Sequence, residues 1–316
     1  MLVIVAPGQG AQAPGFLSPW LEIPGLADRM SAWSEIVGLD LIAYGTTAGA
    51  EEIRDTAVAQ PLLVAAGLAS AEALLGHRFG EDDPAAIADA AGAVAGHSVG
   101  EFTAAVLAGV LTPEQSLSLI RERGQAMAKA ASVTATGMTA VLGGDEAEVL
   151  AALERHGLTP ANRNGAGQIV AGGTLAELDA LKADPPARAR LIPLSVAGAF
   201  HTVHMAPAVD QLRAAAATVT PSDPRTRLLQ NADGAVVGSG AEFLARLVDQ
   251  VAGPVRWDSC MTTMADLGVT AVIELVPGGT LTGLAKRALR GVRTIPLKTP
   301  DDLDAARDLI KEETRT

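Results

Sequence analysis

The sequence predicts an α/β protein: a mostly parallel sheet with helices between its strands, and a small second unit inserted in the chain. Three observations point there. Short, continuously apolar runs end at turn residues, as strands buried on both faces do. Helical patterns lie between these runs, the alternation that builds parallel sheets. The middle of the chain instead reads strand, helix, strand, strand, helix, strand, which is the ferredoxin-like order.

Leu2 to Ala6 is the first buried-strand candidate and stops at Pro7-Gly8. Ala90 to Ala95 is the second, ending at Gly96, and Val269 to Val276 the third, broken by Glu274 and closed by Pro277-Gly278. Helices are expected over Pro61 to Leu75, Glu101 to Gly109 and Pro113 to Ala131. In the middle, strands are expected at Thr139 to Leu142, Leu158 to Asn162, Gln168 to Ala171 and Arg190 to Val196. Helices over Asp145 to His156 and Leu175 to Leu181 separate them, and Asn164-Gly165 makes the turn between the middle two strands. The expected division is therefore residues 1–134 with 199–316 as the main unit and 135–198 as the ferredoxin-like insert.

Composition narrows the function classes. Of 316 residues, 48% are hydrophobic and 19% charged, the balance of a folded enzyme and not of a disordered chain. Aromatics are only 3%, so Ala, Leu and Val must fill the core. One cysteine, Cys260, permits no internal disulfide and fits a reducing cytoplasm. The N-terminus lacks the basic region of a signal peptide, and no run of about eighteen uncharged apolar residues suggests a membrane span. A net charge of −12 disfavours nucleic acid, whose binding depends on phosphate neutralisation by Lys and Arg. Nothing suggests an obligate apolar interface, so a monomer is expected.

Gly96-His97-Ser98-Val99-Gly100 matches the G-x-S-x-G elbow, which displays a nucleophilic serine on a sharp strand-to-helix turn. An apolar run before it and a helix-compatible stretch after it supply the context the elbow needs. The helix N-terminus would favour negative charge developing there. A serine hydroxyl needs a base. Of the five histidines, His97 adjoins Ser98 and its side chain must point elsewhere. His77 and His156 read as surface or C-terminal helix residues. His201 and His204 remain, where the chain returns from the insert. Asp145 and Asp179 fall on insert helices, so a Ser-His dyad oriented by backbone groups is simpler than a triad.

Thr112-Pro113-Glu114-Gln115 has the form of a capping box with proline in the first turn. At 100° per residue the apolar arc of this helix holds Leu117, Leu119, Ile120 and Met127, and Arg123 falls inside it. A buried guanidinium demands a partner. Either a protein carboxylate or a substrate carboxylate, held bidentately, satisfies that demand.

Together these residues resemble the malonyl-CoA:acyl carrier protein transacylases of bacterial fatty-acid synthesis and the related acyltransferase domains of polyketide synthases. The likeness runs nearly the full length: Pro7 to Gln12, Ala59 to Leu62, GHSVGE at Gly96 to Glu101, Arg123-Gly124, Asn162 to Asn164 with Gly167 to Val170, Gly198 to His201, Gln230 to Gly234, Pro254 to Trp257 and Leu281 to Leu284. Ala11 where serine is common, and Pro277-Gly278-Gly279 where Gly-Pro-Gly is usual, depart from the pattern without touching the residues of the proposed chemistry. The resemblance implies a hydrolase-like core carrying the ferredoxin-like insert. It implies Ser98 as nucleophile and His201 as base, with the backbone N–H groups of Gln9 and Val99 as the oxyanion hole. Gln250 would orient His201 through its carbonyl, and Arg123 would hold the malonyl carboxylate. Met127, Asn162 and Asn164 join Phe200 and Gln250 as substrate-site candidates. In related acyltransferases a bulky residue at the position of Phe200 goes with malonyl, since a ring there crowds an α-methyl branch. The implied partners are malonyl-CoA and acyl carrier protein, and no cofactor or metal is required, phosphopantetheine being carried by the partner.

Acyl carrier proteins are acidic, so a local basic patch must meet them. Lys286, Arg287, Arg290 and Arg293 form one candidate, Arg188 and Arg190 another, for carrier protein or coenzyme A phosphates. Two other readings compete: a discrete acyltransferase serving polyketide assembly, and a serine acyl hydrolase or editing thioesterase. A plain acyl hydrolase would leave Arg123 without a use.

Overall fold

The computed structural model of the chain describes residues 1–81 and 86–315. Among them the strands are, in chain order, β1 (Leu2–Ala6), β2 (Ala93–Gly96), β3 (Thr136–Gly143), β4 (Thr159–Gly165), β5 (Gln168–Thr174), β6 (Ala189–Pro193), β7 (Arg227–Leu229), β8 (Val236–Val237), β9 (Val255–Arg256), β10 (Ala271–Glu274) and β11 (Arg293–Pro296). They form two sheets. The larger has the order β11-β10-β1-β2-β7-β8, parallel except for the β7–β8 pair.

β1 shows why the run Leu2 to Ala6 had to be apolar throughout. Leu2, Ile4 and Ala6 pack on one face with Leu62 and Phe102, while Val3 and Val5 pack on the other with Trp257, Met264 and Leu281. Neither face meets water, so the alternation of a half-buried strand has no place here. Ala6 lies in register with Gly96. The loops leaving β1 and β2 therefore emerge side by side at the carboxyl ends of neighbouring strands, where open α/β sheets build their sites.

The smaller sheet has the order β6-β3-β5-β4-β9. Its first four strands are antiparallel neighbours in the 4-1-3-2 order of a ferredoxin-like unit, with helices Glu146–Arg155 and Leu175–Ala183 between them. All four lie within residues 135–198. β9 joins from outside that range, pairing parallel with β4 at Asn162↔Val255 and Arg163↔Arg256. This sheet is thus completed by a segment that sequence reading assigned to the main unit.

Several expected boundaries shift for identifiable reasons. The second strand is Ala93–Gly96 and not Ala90 to Ala95, because Ala86–Ala90 is helical. The third is only Ala271–Glu274, and the last strand of the insert stops at Pro193 instead of running to Val196. The helix expected from Pro61 begins five residues earlier, at Thr56. Asp55 caps it by accepting from the Ala57 N–H at 2.8 Å, and Pro61 sits inside it. Cap and burial together outweigh the one hydrogen bond that proline removes. This Thr56–Leu75 helix is long and apolar enough to cross a membrane by length and composition, but most of its surface is buried inside the protein. Pro113–Ala131 packs against it, and here the capping box forms as read: Thr112 Oγ1 accepts from the Gln115 N–H at 3.2 Å, and Gln115 Oε1 accepts from the Thr112 N–H at 2.9 Å.

Candidate active site

The turn after β2 holds Ser98 at φ 52°, a left-handed conformation that non-glycine residues rarely adopt outside functional sites. Gly96 and Gly100 make the turn possible. A Cβ on Gly96 would lie 2.0 Å from the Gly100 backbone, and one on Gly100 would lie 2.2 Å from the Ala6 carbonyl oxygen. Asn231, which follows β7, clamps the turn. Its Oδ1 accepts from the Ser98 N–H at 2.7 Å, and its Nδ2 donates to the Gly96 carbonyl at 2.8 Å. Helix Gly100–Leu107 then runs away from the site, N-terminus first.

His201 also sits at positive φ, 60°, on the segment leaving β6. Its Nδ1 faces the Gln250 carbonyl at 2.8 Å, and its Nε2 faces Ser98 Oγ at 2.7 Å. A carbonyl only accepts, so Nδ1 carries the proton and Nε2 is left to accept from the serine hydroxyl. Burial, and after it the charge of Arg123, push the imidazole down to about 3 from its ordinary 6.5. It is neutral at physiological pH and so able to take a proton. The backbone N–H groups of Val99 and Gln9 have no hydrogen-bond partner among the described residues.

Arg123 is 1% exposed. Its Nη1 donates to Gln60 Oε1 at 2.6 Å, and its Nη2 to Gln250 Oε1 at 3.1 Å and Ser98 Oγ at 3.4 Å. Its Nε has no partner among the described residues. Among the described residues no carboxylate touches it. Burial brings it down to about 10, opposed by the charge of Glu101. Of five guanidinium N–H groups, two have no partner among the described residues.

Met127 is buried behind this cluster, its Sδ accepting from Gln60 Nε2 at 3.4 Å. Phe200 and Gln9 line a cleft of about 330 Å³ together with Gln12, Arg54 and Val196. Asn164 Oδ1 accepts from His97 Nε2 at 2.9 Å, tying β4 to the elbow and turning His97 away from Ser98. Asn162, two residues earlier on β4, keeps a buried Oδ1 without a partner among the described residues. His77 is not a surface residue: it is buried, edge-on to Phe79 with ring centroids 5.3 Å apart. His156 caps the C-terminus of Glu146–Arg155. Of the basic residues, Arg293 is already ion-paired with Glu312 and Glu313, whereas Lys286, Arg287 and Arg290 are exposed.

Sequence reading passed over the side chains that hold Arg123 and the elbow: Gln60, Glu101, Asn231 and the Gln250 amide. Gln60, Glu101 and Asn231 fell within quoted motifs, and Gln250 was named for its carbonyl and as a substrate-site candidate, but no periodicity or spacing announces side-chain contacts between residues so far apart in the chain.

A serine on a strand-to-helix elbow, with a neutral histidine against its hydroxyl, is the constellation of an α/β serine enzyme. Comparison with known proteins narrows that class. Residues 3–307 match the acyl transferase domain family, and the chain belongs to it: it is an acyltransferase. It is 52% identical over 309 residues to the malonyl CoA-acyl carrier protein transacylase of Mycobacterium tuberculosis, covering 98% of this chain and 100% of that protein. The crystal structure of MCAT from Mycobacterium tuberculosis superposes with a TM-score of 0.91 at 51% identity, covering 97% of this chain and 99% of that one. A type II PKS acyl-carrier protein in complex with its malonyl-transacylase gives a TM-score of 0.88 at 29% identity, covering 98% and 99%.

Proposed function

We propose that this acyltransferase moves a malonyl group from malonyl-CoA to the phosphopantetheine thiol of an acyl carrier protein, through an ester on Ser98. The observation that carries the reading is Arg123: a buried cation within 3.4 Å of the Ser98 hydroxyl, held by neutral amides, with donors to spare. A substrate carboxylate is the partner it lacks.

In the first half-reaction Ser98 Oγ attacks the thioester carbonyl while His201 Nε2 takes its proton. The resulting oxyanion would be received by the N–H groups of Val99 and Gln9. As the tetrahedral centre collapses, the imidazolium returns the proton to the coenzyme A sulfur, which leaves. In the second half-reaction the carrier thiol gives its proton to His201 and attacks the ester carbonyl; the Ser98 Oγ–acyl bond then breaks, and the imidazolium returns the proton to Oγ, which restores the serine and the neutral histidine. Arg123 holds the malonyl carboxylate in both halves, and Phe200 at the cleft disfavours an α-branched acyl group.

The carrier is read as that of fatty-acid synthesis; a discrete acyltransferase of polyketide assembly would do the same chemistry. Lys286, Arg287 and Arg290, with Arg188 and Arg190, are the surfaces proposed to meet it. A cytoplasmic monomer is the setting these readings share. In steady state, Arg123→Ala is expected to lower kcat/KM for malonyl-CoA by about a hundredfold or more, as loss of charge-assisted bonds to the acyl carboxylate should. Undiminished transfer from malonyl-CoA to holo carrier protein by this variant would refute the reading.

A further inference from the structure

Among the buried carboxylates that the chemistry above does not use, Glu101 is the one that joins the site. Glu101, 2% exposed, follows the elbow directly. Its Oε1 accepts from the Asn231 N–H at 2.6 Å, and its Oε2 accepts from Gln250 Nε2 at 2.5 Å. Burial pushes the carboxyl up to about 8, with the Asn231 N–H and the Arg123 charge pulling the other way. A buried carboxyl is costly, and one that only filled space would be replaced by an apolar side chain at no loss.

Its contacts decide something specific. A glutamine amide has one accepting and one donating end. Gln250 Nε2 faces Glu101 Oε2 and also Asn231 Oδ1, at 3.0 Å. Asn231 Oδ1 is fixed as an acceptor because it takes the Ser98 N–H. Two acceptors on one side oblige Gln250 to turn its NH₂ toward them, and its Oε1 must then face Arg123 Nη2. Turned the other way, the amide would present N–H groups to a cation. Were a carboxylate placed directly on Arg123, it would neutralise the guanidinium and compete with any acidic substrate. One amide removed, Glu101 turns the Gln250 oxygen toward the buried cation and leaves the free donors unoccupied.

We propose that Glu101 is a positioning residue for acyl selectivity: by fixing the Gln250 amide it holds Arg123 beside Ser98 with its charge available to an acidic acyl group. The inference rests on the reading of Arg123 as the seat of the substrate carboxylate.

The test is single-turnover acylation by malonyl-CoA and by acetyl-CoA, followed by intact mass, in wild type, Glu101→Gln, Gln250→Met, the double variant and Arg123→Ala. In Glu101→Gln the new NH₂ opposes that of Gln250, which must turn and face Arg123 with donors. Malonyl acylation is expected to fall roughly thirtyfold or more and acetyl acylation less than about threefold, so that the malonyl-to-acetyl ratio drops at least about tenfold. Gln250→Met, which keeps the backbone carbonyl that faces His201, should lower the ratio alike, and the double variant should lower it no further. Equal losses for both substrates, an unchanged ratio, or additive effects would overturn the proposal. If Glu101→Gln does not fold, Gln250→Met decides alone, and an unchanged ratio there is equally fatal. A ratio that survives in Arg123→Ala would sink the reading of Arg123 itself, whereas a ratio lost there but kept in Glu101→Gln and Gln250→Met would sink only the role of Glu101.

Discussion

Arg123 and His201 constrain each other across the Ser98 hydroxyl. The guanidinium lies 3.4 Å from Oγ on one side, the imidazole 2.7 Å on the other, and the charge of the first helps keep the second unprotonated. This fixes the sign of a pH effect. His201 lies below its ordinary 6.5 in the folded protein, so the base stays competent as pH falls through 6.5. The same depression means that the unfolded chain takes up a proton there before the folded one does, and stability is lost from 6.5 downward toward about 3. Acylation kcat/KM should therefore stay level from pH 7 to about 5 while stability declines below 6.5, since kcat/KM reports the free enzyme's groups. A rate inflection near 6.5 would show that the imidazole is not so displaced. At this scale the sequence was only partly legible. The helical arc that buries Arg123 follows from the 100° period, but its contacts with Gln60 and Gln250 join residues 63 and 127 positions away, which no local pattern encodes.

Among the elements, the elbow is the most tightly specified. The G-x-S-x-G spacing reads directly as geometry because Gly96 and Gly100 have no room for a methyl group against Gly100 and Ala6 respectively. Gly100→Ala should cost at least about 2 kcal/mol in urea unfolding, as overpacking between backbones that cannot yield does. Gly238→Ala, where a Cβ would meet nothing within 4 Å, should change stability by less than about 0.5 kcal/mol. Equal stabilities for the two variants would contradict this picture of the turn. The capping box at Thr112 was legible for the same reason: its partners are three residues apart. The start of Thr56–Leu75 was not, because Pro61 is a strong local stop signal and the burial that overrides it is tertiary. β9 was invisible for the complementary reason, since two residues become a strand only when β4 offers an edge.

At the scale of the whole molecule, the site lies where segments from both sheets meet. Ser98, Gln9 and Asn231 leave the carboxyl ends of β2, β1 and β7; His201 and Phe200 follow β6; Asn164 on β4 reaches His97. The strand–helix alternation and the strand-helix-strand-strand-helix-strand order made the two-sheet plan legible, whereas the β9 pairing between them was not. The net charge of −12 sets the partner problem for the whole surface, with Lys286, Arg287 and Arg290 exposed against it and Arg293 drawn off into pairs with Glu312 and Glu313. The most direct test of covalent transfer is the intact mass of the protein after incubation with malonyl-CoA alone, wild type beside Ser98→Ala. A malonyl-sized adduct on wild type only, discharged when holo carrier protein is added, is the expected result. Steady release of coenzyme A with no adduct would mean that the ester passes to water, and adduct on Ser98→Ala would place the chemistry on another residue.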